Sequence, residues 1–344
     1  MQLIDLPFLV NGLMSNQVQN LIYHESRDWN ALVVGRAGLD LYPQPPGSKT
    51  TSAELFASDV GGSGANIAIA MKRAGGNIGL ISALSNDPVG LFVKNRLVKE
   101  GIEIDLMQTT HGNERTSLAI AEERPIDCEV VIYRNNPADL QIIFDQNVKL
   151  AILNSSNLVV TGTSLISDHS RKQVLKMMKH AKNNDCKVWL DLDYRHWNWP
   201  DEETTRSTYQ KAEELSDVII GNEEEFKILN SELTIQVQKC ISSNQIMILK
   251  QGQNGCTLFS GDRHLDAGIY KLKALKPYGS GDAFLGNLIM NYMSLGDWEK
   301  AIDAGSAAAA IVVSKQGCAS AMPTAKEIKS LQDAMTIEPK TEWS

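Results

Sequence analysis

The chain has 344 residues, of which 33 are basic and 41 acidic, and its formal net charge is −8. This acidic balance disfavours binding to nucleic acid, so we expect no nucleic-acid partner. The first basic residue is Arg27 and the longest apolar run, Ala307 to Val313, is far shorter than a membrane span. We therefore expect no signal peptide, no membrane partner and a cytoplasmic location. Five cysteines without paired spacing indicate reduced thiols.

The order of apolar and polar segments predicts an α/β fold. Residues 1–29 are expected to form a leader, and a helix or a subunit contact are both open for it. Ala31 to Gly35 is typical of a buried first strand. Helical patterns then alternate with strand candidates, which indicates a parallel sheet with helices on both faces. These strand candidates are 78–83, 158–161, 187–192, 218–220 and 246–249.

Two stretches interrupt this alternation. Leu39 to Asp59 is rich in proline and polar residues, and Thr116 to Ile143 alternates as a strand does. We place one main domain at 30–335, with these stretches as additions to it, and a C-terminal tail at 336–344.

Two glycine motifs lead into helices. The first runs from Val60 to Asn66, ahead of an amphipathic segment that stops at Gly75 and Gly76. The second is Lys-Pro-Tyr-Gly-Ser-Gly-Asp at 276–282, ahead of an apolar helical pattern. Free backbone N–H groups at such a helix N-terminus suit an anion. Asp282 is placed to accept the proton of an alcohol that attacks a phosphate, although a simple N-cap is the alternative.

Separation, order and context of these two motifs resemble the ribokinase-like (PfkB) family of carbohydrate and nucleoside kinases, over about residues 31–330. The resemblance implies a three-layer sandwich around a parallel sheet, with 39–59 and 116–143 forming a small β-sheet lid. Domain 30–335 would then be the kinase domain. ATP would be the phosphoryl donor and Asp282 the base, and the amides of Gly279, Ser280 and Gly281 would stabilise charge on the transferred group.

The same resemblance implies a sugar site near the first motif. Asp40 stands five residues after Gly35, where the family places an aspartate that accepts hydrogen bonds from sugar hydroxyls; a turn aspartate is the alternative. Gly61, Gly62 and Asn66 would complete the floor of this site, because glycine permits close contact with the main chain.

A nucleotide site is implied further along. Asn222 and Glu225 match an Asn-x-x-Glu motif that would reach Mg²⁺ through water. The alternative is that this acidic run is simply the solvated start of a helix. The loop at 250–255 resembles the one that wraps ATP, with Lys250, Gly252 and Gly255 as its contacts. Ser306 and the following alanines would flank adenine, or simply form a core helix.

One position departs from the family pattern. Many members have an aspartate in a monovalent-cation site six residues before the catalytic aspartate, and here that position is Lys276. Its ammonium would repel potassium and could replace it. We therefore expect no strong potassium activation.

Further segments are similar to the branch of the family that phosphorylates the C6 hydroxyl of 5-dehydro-2-deoxygluconate in myo-inositol catabolism. This small-molecule substrate is an acyclic keto-sugar acid, which calls for a cationic reader. Arg134 and Arg195 are the candidates, because guanidinium pairs well with carboxylate. Either could instead be structural, and Arg195 could contact the transferred phosphate. The similar segments are 35–42, 133–140, 191–195, 275–279, 314–315 and 321–324.

Other functions remain open at this stage. A 2-keto-3-deoxygluconate kinase or a fructokinase would use the same catalytic residues. A noncatalytic sugar-binding regulator on the same fold is the alternative of a different class. A dinucleotide-dependent dehydrogenase is disfavoured, because no Gly-x-Gly-x-x-Gly follows the first strand. A homodimer is also open.

Overall fold

The computed structural model describes residues 27–243 and 245–340. Within them, strands and helices alternate along most of the chain, as the sequence predicts. In chain order the elements are β1 (Ala31–Val34), β2 (Gly38–Gln44), β3 (Leu55–Gly61), α1 (Ser63–Arg73), β4 (Ile78–Ile81), β5 (Ala83–Ser85), α2 (Pro88–Lys99), β6 (Gln108–Thr110), β7 (Leu118–Ala121), β8 (Val130–Tyr133), α3 (Gln146–Leu153), β9 (Asn157–Thr161), α4 (Asp168–Lys182), β10 (Lys187–Asp191), α5 (Glu202–Glu213), β11 (Val218–Asn222), α6 (Glu223–Asn230), α7 (Leu233–Ser243), β12 (Ile246–Lys250), β13 (Cys256–Ser260), β14 (Arg263–Ala267), α8 (Ser280–Leu295), α9 (Trp298–Val313) and α10 (Ala325–Ala334).

The central layer is an eight-stranded sheet in the order β14-β13-β12-β11-β10-β9-β1-β4. The six strands from β12 to β4 pair in parallel, and β13 and β14 extend the sheet in antiparallel fashion. All four residues of β1 are fully buried. A parallel strand covered on both faces is a continuous apolar run, which is why the sequence identifies it.

Helices cover both faces of this sheet. The core on one face joins α1, α2, α8, α9 and α10, and the core on the other face joins α3 to α7. Successive residues of β1 alternate between the two cores: Val33 faces the first, and Leu32 and Val34 face the second. The three-layer arrangement is therefore confirmed.

The two interrupting stretches form a separate four-stranded sheet in the order β3-β2-β7-β8. Asp40 in β2 is opposite Asp59 in β3 and Ala119 in β7, so this sheet joins both stretches into one layer. We call this sheet the lid. Val130, Val131 and Tyr133 of β8 are exposed, and Val130 and Ile132 of the same strand line the cleft described below.

The ends of the chain fall partly outside the description. Residues 1–26 of the expected leader and 341–344 of the expected tail lie outside the described residues. Arg27 donates through Nη1 to the carbonyl oxygen of Ser155 at 2.5 Å, so the end of the leader segment packs on the domain. Glu338 pairs with Ile269 directly after β14. No helix within 27–243 or 245–340 is long and apolar enough to cross a membrane.

Candidate active site

A cleft of about 240 Å³ lies between the lid and the main sheet. Several of its residues follow the carboxyl ends of parallel strands, where α/β sheets place ligands. Seven of the expected site residues line it together: Asp40, Gly62, Asn66, Arg134, Arg195, Gly279 and Asp282. The remaining lining residues are Arg36, Ser63, Ala119, Ala121, Val130, Ile132, Thr163, Asp193, Trp197, Asn198, Tyr278 and Cys318.

The second glycine motif forms the N-terminus of α8, as predicted. Gly279 is the N-cap and has a left-handed backbone (φ 83°), a conformation that glycine adopts without strain. Ser280 and Gly281 begin the helix and Asp282 lies in its first turn. The first N–H groups of the helix therefore lack intrahelical partners beside the cleft, which makes this end suited to an anion.

Asp282 is tied to the first glycine motif. Nδ2 of Asn66 donates to Oδ2 of Asp282 at 2.8 Å, and Asn66 lies in the first turn of α1. Burial, with the nearby carboxylates of Asp193 and Asp191, raises the pKa of Asp282 to about 7, against the lowering effect of Asn66 and Arg195. A carboxyl group with this pKa can exchange a proton near neutral pH, which a general base requires.

A second group of charges lies beside Asp282, at the carboxyl ends of β10 and β12. Asp191 accepts a hydrogen bond from Nζ of Lys250 at 3.0 Å, and Oε2 of Glu225 lies 3.9 Å from the same nitrogen. Burial raises the pKa of Asp191 even though Lys250 opposes it. Burial would lower the pKa of Lys250, but the carboxylates of Asp191 and Glu225 raise it above its usual value. Lys250 is therefore a permanent cation here.

Lys250 lies at the first position of the loop, 250–255, that we expected to wrap ATP. It ends strand β12, and its Nζ lies 3.6 Å from the point that a Cβ atom on Gly281 would occupy. The ammonium thus lies next to the N-terminus of α8. It is placed to meet a phosphate group bound there.

The sugar-site residues predicted from the first motif are grouped around Asp40. This residue is 6% exposed, and burial raises its pKa despite the nearby Arg36. The hydroxyl of Tyr42 donates to its Oδ2 at 3.2 Å. Oδ1 is buried and has no hydrogen-bond partner within the described chain. A Cβ atom on Gly61 would lie 1.8 Å from Oδ1, so only glycine leaves room for this carboxylate.

Arg134 lies between the lid and the main domain. Its Nη2 contacts Oδ2 of Asp139 and donates to the carbonyl oxygen of Thr163 at 3.0 Å. Its side chain is 4% exposed, and neither Nε nor Nη1 has a hydrogen-bond partner among the described residues. The guanidinium is therefore fixed at one nitrogen and has further donors to offer a ligand.

Arg195 is more exposed than Arg134 and is also paired with a carboxylate. Its Nη2 lies 2.9 Å from Oδ1 of Asp193, its side chain is 42% exposed, and Nη1 donates to the carbonyl oxygen of Tyr194 at 2.8 Å. The carboxylate of Asp193 raises the pKa of Arg195 further above its usual range. Trp197, at the mouth of the same cleft, is 56% exposed.

Lys276 is fully buried below the glycine loop. Its ammonium donates to the carbonyl oxygens of Tyr278 at 3.1 Å and Val312 at 3.0 Å, and burial lowers its pKa. Glu123, at the end of lid strand β7, lies close enough to oppose that lowering. The hydroxyl of Tyr278 donates to the carbonyl oxygen of Glu122 at 2.8 Å, so the glycine loop is also bonded to the lid.

The residues expected at the nucleotide lie outside the cleft lining. Asn222 and Glu225 form a capping box at the start of α6, and Oε1 of Glu225 accepts a further bond from the amide of Tyr194 at 3.0 Å. Glu225 is 3% exposed, so it is no solvated helix start. Gly252 and Gly255 form the turn between β12 and β13, and Ser306 is buried within α9.

Sequence reasoning missed several residues of the cleft. Arg36 follows β1, Asp193 follows β10, and Thr163 follows β9, each just past the carboxyl end of a strand. Thr163 donates to Oδ2 of Asp193 at 3.2 Å and lies 3.3 Å from Ser63 Oγ. Their positions after strands could have identified them. Their contacts depend on elements far apart in sequence.

A larger cavity of about 840 Å³ lies between β14 and the start of α9. Its lining includes the carboxylates of Asp266, Asp297, Glu299 and Asp303, and none of the expected site residues. The lining also contains Lys300 and Lys340, which form ion pairs with Asp297 and Asp266. Across 27–243 and 245–340, no group of three or more histidine, cysteine or acidic side chains is arranged to hold a metal ion.

Comparison with known proteins assigns the family. The model of the pfkB family carbohydrate kinases matches residues 30–325. A relative from Photobacterium profundum, named 5-dehydro-2-deoxygluconokinase, is 38% identical over 313 residues, which cover 88% of this chain and 94% of the relative.

Solved structures share the fold at lower identity. A protein named as a ribokinase II from Escherichia coli, in complex with ATP and Mg²⁺, has a TM-score of 0.80 and 20% identity, and the match covers 89% of this chain and 100% of that one. A fructokinase from Xylella fastidiosa with bound ATP has a TM-score of 0.77 and 22% identity, with 89% and 98% covered.

Proposed function

The chain belongs to the pfkB family of carbohydrate kinases, and on this premise we propose that it transfers the γ-phosphoryl group of ATP to the C6 hydroxyl of 5-dehydro-2-deoxygluconate. The name of its relative at 38% identity supports this substrate. The observation that carries the proposal is Asp282, a carboxyl group with a pKa of about 7 at a helix N-terminus, in a cleft that also contains Asp40 and Arg134.

The proposed reaction is a direct in-line transfer. The C6 oxygen forms a bond to the γ-phosphorus while the bond from that phosphorus to the oxygen of the ADP leaving group breaks. Asp282 accepts the hydroxyl proton as the new bond forms. The N–H groups of Gly279, Ser280 and Gly281 stabilise the charge on the transferred group. No covalent intermediate with the protein is needed.

Two cations flank the N-terminus of α8. Lys250 lies beside Gly281, and Arg195 lies close enough to Asp282 to lower its pKa. We propose that Lys250 contacts the phosphate and that Arg195 keeps Asp282 ionised in the presence of the other carboxylates. This proposed role for Arg195 differs from the contacts with the substrate carboxylate or the transferred phosphate that the sequence predicted for it.

Magnesium fits this site only together with the nucleotide. Both carboxylate oxygens of Glu225 accept backbone N–H bonds, from Asn222 at 2.7 Å and from Tyr194 at 3.0 Å, so they are committed to the protein. We propose that phosphate oxygens and water hold Mg²⁺, with Asn222 and Glu225 in its outer shell. The ion would supply charge neutralisation on the phosphates. Gly252, Gly255 and Ser306 remain proposed nucleotide contacts.

The lid has a proposed role in excluding water. Residues 39–59 and 116–143 would close over the sugar as part of one kinase domain, 30–335, which prevents transfer of the phosphoryl group to water. Asp40, Asn66 and the backbone at Gly61 and Gly62 would hold the hydroxyls of the substrate. A homodimer and a cytoplasmic location remain predictions.

The proposal is tested by a coupled assay of ADP formation with a panel of acceptors. We expect the highest kcat/KM for 5-dehydro-2-deoxygluconate, and lower values for 2-keto-3-deoxygluconate, fructose and nucleosides. Preference for fructose or 2-keto-3-deoxygluconate would replace the proposed substrate by that one. Absence of turnover with every acceptor would favour a sugar-binding regulator.

The role of Arg134 is tested on the same panel. Arg134→Met should raise KM for the acid by about ten- to a hundredfold and leave KM for fructose nearly unchanged, because only the acid loses a charge-assisted bond. Arg263→Met, at an exposed arginine of β14, is the control. Equal losses on both substrates would mean that Arg134 supports the lid instead.

A further inference from the structure

Arg36 is a buried cation at the floor of the cleft that no step of the proposed reaction uses. The residue is 8% exposed and lines the cleft directly after strand β1. Its Nη1 donates to Oγ of Ser117 at 3.1 Å. A Cβ atom on Gly38 would lie 2.7 Å from that Nη1, so a glycine leaves the space that the guanidinium occupies. The fold thus makes room for a charged group beside the substrate position.

The three arginines of the cleft differ in how closely protein carboxylates hold them. Arg134 contacts Asp139 directly, and Arg195 lies 2.9 Å from Asp193. Nη2 of Arg36, in contrast, lies 3.6 Å from Oδ1 of Asp40, beyond ordinary hydrogen-bond length. Arg36 is therefore the guanidinium of the cleft that is least committed to a protein carboxylate.

The carboxylate of Asp40, next to Arg36, also has an oxygen without a hydrogen-bond partner. Oδ2 of Asp40 is held by Tyr42, but its buried Oδ1, which faces Arg36, has no hydrogen-bond partner among the described residues. A buried polar atom without a partner in the protein is costly unless a ligand supplies one. A donor and an acceptor lie side by side here. A substrate with a carboxylate next to a hydroxyl-bearing chain would satisfy both.

We infer that Arg36 is a specificity-determining residue that binds the carboxylate of the acid substrate, while Oδ1 of Asp40 accepts a bond from a substrate hydroxyl. This inference rests on the proposed acid substrate and adds a residue to its recognition. Arg134 then acts as a second donor to the same acid. Two guanidinium groups from separate elements offset the cost of taking a carboxylate out of water better than one that Asp139 already neutralises.

The test compares the acid with its C1 amide, which keeps the size and hydroxyls but lacks the charge. The parent enzyme should prefer the acid, and Arg36→Met should reduce kcat/KM for the acid by about ten- to a hundredfold with little change for the amide. Tyr42→Phe is the matched control, because it disturbs Asp40 without removing a cation. It should lower kcat/KM for both compounds by a similar factor.

Three results would separate the possible explanations. If Arg36→Met lowers both compounds equally, as Tyr42→Phe does, the inference is wrong and Arg36 only positions Asp40. If the parent enzyme shows no preference for the acid, the proposed substrate fails and this inference fails with it, which is seen before any variant is made. If the methionine variant does not fold by circular dichroism, Arg36→Lys replaces it. Lysine keeps the charge but loses the planar fork, so a smaller loss confined to the acid supports the inference and an equal loss overturns it.

Discussion

The hydrogen bond from Asn66 to Asp282 should set the pH at which the proposed base becomes active. The bond is 2.8 Å long and lowers the pKa of a carboxyl that burial and neighbouring aspartates keep at about 7. A hydrogen bond to a charged group contributes about 1.5–3 kcal/mol, and a tenfold change in protonation corresponds to ~1.4 kcal/mol. Asn66→Ala should therefore raise the pKa of Asp282 to about 8–9.

The direction of the effect on rate follows from the role of the carboxylate. A general base acts in its ionised form, so activity falls as pH drops through its pKa. About half of the parent enzyme is ionised at pH ~7, whereas a pKa of about 8–9 leaves roughly 1–10% ionised. The variant should thus lose about five- to fiftyfold of its activity near pH 7 and recover much of that loss near pH ~10.

The assay is the pH profile of kcat/KM for the sugar acid, with ATP and magnesium saturating. Asn291→Ala is the matched control, because the side chain of Asn291 donates to the carbonyl oxygen of Asn287 within α8. In this control, kcat/KM should fall at low pH as it does in the parent enzyme. A profile for Asn66→Ala that is lowered equally at all pH values, with its limb still near pH ~7, would refute the reasoning. Asn66 would then act only through its unpaired Oδ1 on the substrate.

Three further changes probe other parts of the site. Asp282→Asn should lower kcat by about 10²–10⁴-fold. Folding raises the pKa of Asp282 from 3.8 to about 7, so the parent protein loses stability as pH rises across this window. The uncharged asparagine variant does not. The Tm of the variant minus the Tm of the parent should therefore increase between pH ~5 and ~8 in calorimetry. Replacing potassium by sodium or a bulky organic cation should leave activity nearly unchanged, because the ammonium of Lys276 already binds two carbonyl oxygens; saturable stimulation by potassium would contradict this. Gly61→Ala should raise KM for the sugar by about ten- to a hundredfold, because its Cβ would displace Asp40, whereas Gly261→Ala, with nothing within 4 Å of the added atom, should not. An unchanged KM in Gly61→Ala would mean that Asp40 does not bind the sugar.

The elements that sequence predicts well are those with a local cause. Strand β1 is apolar throughout because both of its faces are buried, and α1 ends at Arg73, where Gly75 adopts a positive φ of 100°. The glycine loop before Asp282 is identified for the same reason. The N-terminus of a helix and its small residues are adjacent in sequence.

The residues that sequence describes poorly are those whose role depends on distant partners. The sequence identifies Arg134 as a cation. Its contact with Asp139, which occupies Nη2 and leaves Nε and Nη1 for a ligand, depends on how the segment folds back. The role of Arg36 depends on a looser contact with Asp40 and on space left by Gly38. The local sequence shows that each arginine is charged. It does not show how far a neighbouring carboxylate neutralises that charge.

The cleft is assembled from segments that the ribosome produces at very different times. Asn66 and Asp282, which share a hydrogen bond, are 216 positions apart in the chain. Synthesis proceeds from the N-terminus, so the sugar floor and the lid strands emerge long before helix α8. A chain interrupted before that helix has neither the proposed base nor the proposed anion site. Incomplete chains should therefore be unable to transfer phosphate from ATP, and the proposed activity should appear only once helix α8 has been made.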